Sequence, residues 1–209
     1  LVRNIEEVFG IPIVWIEADV KHEANVGTDY KIVTFATASR KGEPFEEVIK
    51  KYGLPTQGFM HCTRELKLQP MTKFKKDNGI KITALGIRAD EPNRYKPRDE
   101  VFYPLVDLFK TSKPEILRWW SEQSFDLEIP EYLGNCTWCY KKSDRKLEIL
   151  AKDHPNVFDF PLRMEEKYCD GTRKIFRGYR TTQEVLDNKN VDLFSCMDEC
   201  AEECGTVII

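Results

Sequence analysis

Residues 80–94 read IKITALGIRADEPNR, and the reading of this stretch decides the fold. Ile80–Ile87 is an apolar, β-branched run with two polar residues set into it, the composition of a strand. Its end opens into the polar loop Arg88–Arg94. At the carboxyl end of a parallel strand, Arg88 and Arg94 would face the crevice where α/β sheets take their ligands. Guanidinium pairs suit phosphate or sulfate there, because each offers planar, bidentate donors.

Working outward, Ile11–Ile16 (IPIVWI) is a continuous apolar run ending in Glu17 and Asp19, as expected of a strand buried on both faces. Ile32–Ala36 (IVTFA) is a second strand, and Val101–Val106 a short, edge-like one with Pro104 inside it. Helices are predicted at Val2–Phe9, stopped by Gly10, and at Phe45–Tyr52, with Pro44 before it and Gly53 after it. A basic helical stretch, Arg64–Lys76, is interrupted at Pro70, and further helices run over Pro114–Gln123 and Arg145–Lys152. Strands with intervening helices, followed by helices alone, predict an α/β protein with a parallel sheet and a helical C-terminal half. The expected division is an α/β core over 1–112, a helical region over 113–194 and a cysteine-rich acidic tail over 195–209.

The 209 residues are 41% hydrophobic and 32% charged, which suits a soluble chain able to fill a core. Mean hydropathy is −0.50. The longest apolar run is too short to span a bilayer, and no leader precedes it, so a cytoplasmic protein of a prokaryotic or phage-infected cell is expected. Net charge −3 opposes a general polyanion binder. Charge is uneven, however: Met60–Glu100 holds ten Lys/Arg against six Asp/Glu, whereas Glu184–Cys204 holds seven acids against one lysine. A basic middle and an acidic tail suit an anionic small ligand with the tail folding over it, or simply two solvated faces of opposite sign.

Seven cysteines are many for a chain without an export signal, and in a reducing compartment they point to metal or redox chemistry. Cys136-Thr137-Trp138-Cys139 is the sharpest pattern, since two thiolates three residues apart on a turn can chelate one metal or cluster. A thioredoxin-type CxxC should open a helix just after a strand; this one lies between predicted helices. Cys62 heads Cys62-Thr63-Arg64-Glu65-Leu66-Lys67-Leu68-Gln69-Pro70, 74 residues before Cys136. Trp119, Trp120 and Phe125 read as core aromatics, His22 and His154 as surface or capping residues, and Cys169 as a plain thiol.

In order, these residues resemble the phosphoadenosine-phosphosulfate (PAPS) and adenosine-phosphosulfate reductase family of the adenine-nucleotide α-hydrolase-like group, above all its phage and prophage members. Cys62, Lys67 and Pro70 match one family segment, Gly86, Arg88, Asp90 and Arg94 a second, and Cys136 with Cys139 a third. The likeness runs from about Leu1 to Arg163. It departs at Thr63, where a second cysteine of a tandem pair is expected, and at Leu66, where an arginine is. The glycine-rich phosphate loop of the group is not in the sequence, so the chain is expected to be either a trimmed product or a relative that dispenses with the loop.

The resemblance implies an adenine-nucleotide α-hydrolase-like fold acting on an adenylylated sulfur compound, with an adenine sulfonucleotide or ATP bound by Arg88, Arg94, Lys67, Ser39 and Arg40. It implies a [4Fe–4S] cluster on Cys62, Cys136 and Cys139, with an open iron or with His61 or an outside group as fourth donor. Zinc on the same thiolates plus His61 is the alternative. Glu203-Cys204-Gly205 matches the family's mobile nucleophile segment, so Cys204 would attack sulfur and a thioredoxin-like reductant would release sulfite. Cys196, Cys200 and Cys204 at i, i+4 and i+8 also suit a second metal site or a buried stripe. An iron–sulfur sulfurtransferase modifying nucleic acid, and a non-catalytic phage protein keeping the fold, are the rival readings. Thr37-Ala38-Ser39-Arg40 resembles a segment of the phage-type relatives, or is only a strand-to-helix turn.

Overall fold

A computed structural model of the chain describes residues 1–134, 136–169, 175–187 and 207–208. In chain order it forms α1 (Val2–Phe9), β1 (Trp15–Asp19), β2 (Asp29–Val33) and α2 (Glu43–Tyr52). A π-helical turn (Arg64–Leu68) leads into α3 (Gln69–Asp77), followed by β3 (Thr83–Leu85), β4 (Val101–Phe102), α4 (Pro104–Asp107) and α5 (Lys113–Ser121). The C-terminal half carries α6 (Asp144–Asp153), α7 (Asp159–Tyr168), α8 (Thr182–Asp187) and β5 (Val207–Ile208), with 3-10 turns at Glu131–Leu133 and Pro155–Phe158. Two compact units result. The larger comprises Val14–Phe74 and the described residues from Ile129 to Asp187; the smaller comprises Leu1–Ile13, Lys75–Glu128 and β5.

The protein is mixed α/β with a helical C-terminal half, but its sheets are small, and among the described residues only one strand pair is parallel. In the larger unit β1 and β2 form an antiparallel hairpin in the register Trp15↔Val33 to Asp19↔Asp29. In the smaller unit the order is β4-β3-β5, with β3 parallel to β4 and antiparallel to β5. The predicted doubly buried strand at Ile11–Ile16 is therefore corrected. Pro12 cannot donate to a ladder, the strand starts only at Trp15, and Ala18 is its one buried residue. Ile11 and Val14 stay about half exposed. Opposite Glu17 in the register stands Lys31, with Nζ 3.1 Å from the carboxylate, so the hairpin carries an ion pair across its strands. Pro104 likewise opens α4 instead of lying inside a strand, the first helical turn being where its missing N–H is harmless.

The helices follow their punctuation closely. Gly10 closes α1 in the left-handed region, its N–H returning to the Glu6 carbonyl. Ser112 and Glu115 make a reciprocal capping box on α5, and the Ser143 hydroxyl accepts the Lys146 N–H at the start of α6. Gly42 precedes α2 at φ 88°, and a β-carbon there would lie 2.5 Å from the Phe160 ring, so both the backbone and the packing demand glycine. Pro70 does not interrupt its helix as predicted. The turn before it widens instead, the Gln69 N–H reaching the Arg64 carbonyl five residues back.

Among the described residues the larger unit holds two apolar clusters. Ile49, Leu54, Tyr140, Met164 and Phe176 form one, with Cys62, Phe45 and Phe160 against it. Leu147, Leu150, Ala151, Phe158 and Val185 form the other. Trp138 packs against both.

Within the π-helical turn Glu65 is buried, accepting from the Thr28 hydroxyl and, at 2.6 Å, from Arg64 Nε. Burial would raise its pKa, but Thr28, Arg64 and Tyr52 outweigh that and hold the carboxyl below its ordinary value. A folded-state pKa below the unfolded one gives stability that is complete above pH 4.5 and lost as pH falls through the lower, folded value. Glu65→Gln should therefore lower stability near neutrality by about 1–3 kcal/mol and flatten the acid limb of a pH–stability profile from urea melts. An unchanged acid limb would show that Glu65 is not ionised in the fold.

Candidate functional site

The Cys136-Thr137-Trp138-Cys139 segment lies on a loop between the Glu131–Leu133 turn and α6, away from any strand-to-helix junction. Three devices hold it. Trp138 drives its ring between the two cores, 4.9 Å edge-on from Phe176 and 6.3 Å from Phe158. Lys142, fully buried, donates Nζ to the carbonyls of Tyr132 and Gly134 upstream of the first cysteine. Arg177, 4% exposed, donates to the carbonyls of Tyr140 (2.7 Å) and Lys142 (2.8 Å) downstream of the second, and to Asp144 at 2.8 Å. Cationic donors in a buried setting make strong hydrogen bonds, so both ends of the thiol loop are tied by charge. Arg177 is placed in turn by Glu165, whose buried carboxylate accepts the N–H groups of Phe176 (3.1 Å) and Thr182 (2.7 Å). Neither Arg177 nor Glu165 sits in a motif, and sequence reasoning missed both.

Cys62 reaches the same place from far upstream. Its sulfur lies 3.4 Å from the hydroxyl of Tyr140, the residue after Cys139, and the Tyr140 ring stacks on Phe176. Cys62 and Cys139 are half-buried, Cys136 is exposed, and none of the three is in a disulfide. Beside Cys62, His61 is 1% exposed and lies against the rings of Phe59 (5.1 Å) and Tyr52 (5.7 Å). No side chain hydrogen-bonds its ring nitrogens, and the Gly53 backbone is the polar group that faces the ring. Burial holds the imidazole below its ordinary pKa, with the Gly53 backbone opposing in part, so the ring is neutral. Soft thiols and a neutral imidazole are the right chemistry for iron–sulfur or zinc. Among the described residues, though, no three donors are gathered tightly enough to hold a metal ion.

The other predicted residues have their own surroundings. In the smaller unit Arg88 Nε donates to Asp90 at 2.8 Å and Arg94 donates to Glu91 at 2.5 Å, while Glu91 also lies 3.4 Å from Arg88. The two guanidiniums follow the carboxyl end of β3, as read, but share their loop with two carboxylates. Although burial opposes it, Arg88 and the Lys113 N–H keep Asp90 below its ordinary pKa. In the larger unit Ser39 gives both its N–H and its hydroxyl to Glu17, and Arg40 lies over the Phe35 ring at 4.5 Å. Lys67 is a half-buried member of the π-helical turn. Cys196, Cys200 and Cys204 lie outside the described residues.

No family model matches the chain, and no solved structure does. It is similar to a protein of Escherichia phage lambda named "Uncharacterized nin region protein ORF290", with 40% identity over 162 residues. The match takes in 75% of this chain and 56% of that protein, so the chain spans about half the length of its relative. Among the described residues no helix is long and apolar enough to cross a membrane.

If Arg177 holds the thiol loop, Arg177→Ala should destabilise the protein by about 1–3 kcal/mol, the usual loss when buried acceptors are left without their donor. Arg177→Lys should recover part of this, because an ammonium reaches fewer of these acceptors than the guanidinium does. Denaturant melts with both variants decide it, and a loss below about 1 kcal/mol for the alanine variant would release the loop from this account.

Proposed function

We propose that the protein handles an adenylylated sulfur compound, as a PAPS reductase-like, thiol-dependent enzyme. The observation that carries this reading is the meeting of Cys62 with Tyr140. Cys62 packs against the core that holds Tyr140, the residue after Cys139, so segments far apart in sequence meet in the order in which the sequence resembles that family. The cofactor proposed is a [4Fe–4S] cluster on Cys62, Cys136 and Cys139, with zinc as the alternative; when bound it would supply an electrophilic centre beside the nucleotide. The finer fold assignment, to the adenine-nucleotide α-hydrolase-like group, belongs to the same proposal.

In this reading Arg88, Arg94 and Lys67 take the phosphate and sulfate of the substrate, with Ser39 and Arg40 at the nucleotide. The Cys204 thiolate attacks the sulfonucleotide's sulfur, an S–S bond forms as the S–O bond breaks, and the nucleoside phosphate leaves with the electron pair. A thioredoxin-like dithiol then reduces the S-sulfocysteine, becoming a disulfide and releasing sulfite. The rival reading, an iron–sulfur sulfurtransferase acting on nucleic acid, draws on the same three thiols.

Protein purified without oxygen should be brown and contain iron, and Cys136→Ala should lose it; colourless protein with one zinc per chain would move the assignment to zinc. After incubation with a sulfonucleotide, mass spectrometry of the full-length protein should find a sulfite-sized adduct on Cys204 that thioredoxin removes. An adduct on no cysteine would overturn the reductase reading.

A separate outcome concerns the arginines. Arg88→Ala and Arg94→Ala should each weaken sulfonucleotide binding by about 1–3 kcal/mol, the range for a charge-assisted contact, with folding little changed. Calorimetric titrations showing both variants binding like the parent would place the anion elsewhere.

A further inference from the structure

Resting on the anion-site reading of Arg88 and Arg94 above, we infer that the Glu91 carboxylate occupies the place of an oxyanion between the two guanidiniums. A phosphate or sulfate group of the ligand binds there by displacing it, and Glu91 thereby selects which anions enter.

The convergence begins in the backbone. After β3 the chain makes two turns in succession, the Glu91 N–H returning to the Arg88 carbonyl and the Arg94 N–H to the Glu91 carbonyl. Residues three apart in such turns lie one above another, so Arg88, Glu91 and Arg94 share one side of the loop. Their polar groups then meet on one carboxylate. Arg94 Nη1 donates to Oε1 at 2.5 Å, while Oε2 accepts the Arg88 N–H at 3.2 Å and lies 3.4 Å from Arg88 Nη1. The Glu91 side chain is only 14% exposed. Asp90 has a different part, since it accepts Arg88 Nε at 2.8 Å and the Lys113 N–H at 3.2 Å and so fixes the first guanidinium from behind.

A backbone N–H and two guanidiniums aimed at one point are the donor set that proteins present to phosphate and sulfate. Here an internal carboxylate fills it. Glu91 brings one negative charge and two oxygens, whereas a phosphate monoester brings a charge of about −1.5 to −2 and three acceptor oxygens. The divalent group therefore satisfies the same donors and outbids the carboxylate electrostatically. Because Glu91 is tethered beside the site, it competes at a high effective concentration. Monovalent anions such as chloride and acetate gain nothing over it and stay out. Glu91 is in this sense a specificity residue, acting by competition with the wrong ligand.

The test titrates the full chain with inorganic phosphate, sulfate and acetate, and separately with a sulfonucleotide, following the arginine side-chain N–H groups by NMR. Glu91→Gln keeps the size of the side chain and removes its charge. It should bind phosphate and sulfate about tenfold more tightly than the parent, the worth of a charge-assisted contact that no longer has to be broken, and it should begin to bind acetate. Glu91→Ala should do the same, which guards against a glutamine that still fills the site. Adding Arg94→Ala to Glu91→Gln should cancel the gain. In the parent, phosphate should move the Arg88 and Arg94 resonances together, a measurement that needs no variant to fold.

Phosphate affinity that is unchanged or weaker in both Glu91 variants, at an unaltered melting temperature, would overturn the inference and leave Glu91 a brace of the turn. Phosphate that moves neither arginine of the parent would overturn it as well. Tighter phosphate binding by the variants, in a protein that forms no sulfonucleotide adduct on Cys204, would uphold the displaced carboxylate and sink the reductase reading. An adduct on Cys204, with Glu91 variants that bind no tighter, would do the reverse.

Discussion

Two buried cations govern the larger unit. A loop that places thiols near the surface has to leave its carbonyl groups somewhere, and carbonyls turned into an apolar core are costly unless donors meet them. Lys142 meets those on one side of the cysteine pair and Arg177 those on the other. Both side chains are almost entirely removed from water, and their charges are met by carbonyl dipoles and, at Arg177, by Asp144. The dependence is mutual: the loop requires the cations, and the cations require the loop. Trp138 then locks the arrangement by packing against both clusters, which leaves the cysteine segment little freedom relative to α6 and α7.

Much of the helical half was legible because its signals are local. Glycine at a helix end and proline in a first turn each act over three or four residues, and α1 and α2 lie close to where those signals put them, as α5 and α6 lie close to their predicted apolar stretches. The strands were read less well. IPIVWI has the composition of a buried strand, but which face of a strand is covered depends on pairing across the sheet, and the partner of Trp15–Asp19 turned out to be the charged hairpin strand Asp29–Val33. Likewise Ile80–Ile87 pairs through only three residues, Thr83–Leu85.

The candidate site divides in the same way. Cys62, Cys136 and Cys139 could be singled out because cysteine is rare and its spacing carries chemistry. The residues that position them could not. Arg177 and Glu165 act through backbone groups of residues 11 to 37 positions away, and no residue type or spacing announces a side chain that will hydrogen-bond a carbonyl. The pairing of Arg88 and Arg94 with Asp90 and Glu91 was visible as letters in the loop, yet its geometry, with one carboxylate between two guanidiniums, belongs to the turn itself.

The widened turn at Arg64–Leu68 bears on how this chain can change in length. A π-helical turn holds one residue more than the α-helical turn it replaces, so deleting a single residue there would let the ladder run on unbroken into α3. Everything before the deletion would then swing by about 100° around the helix axis, the angle one residue occupies. Cys62 would rotate away from Tyr140 and Glu65 from Thr28, while α3 itself stayed intact. A shortening that looks harmless on paper, even favourable for helix geometry, would thus uncouple the first thiol from the pair. Insertions or deletions would be better absorbed in the loops on either side.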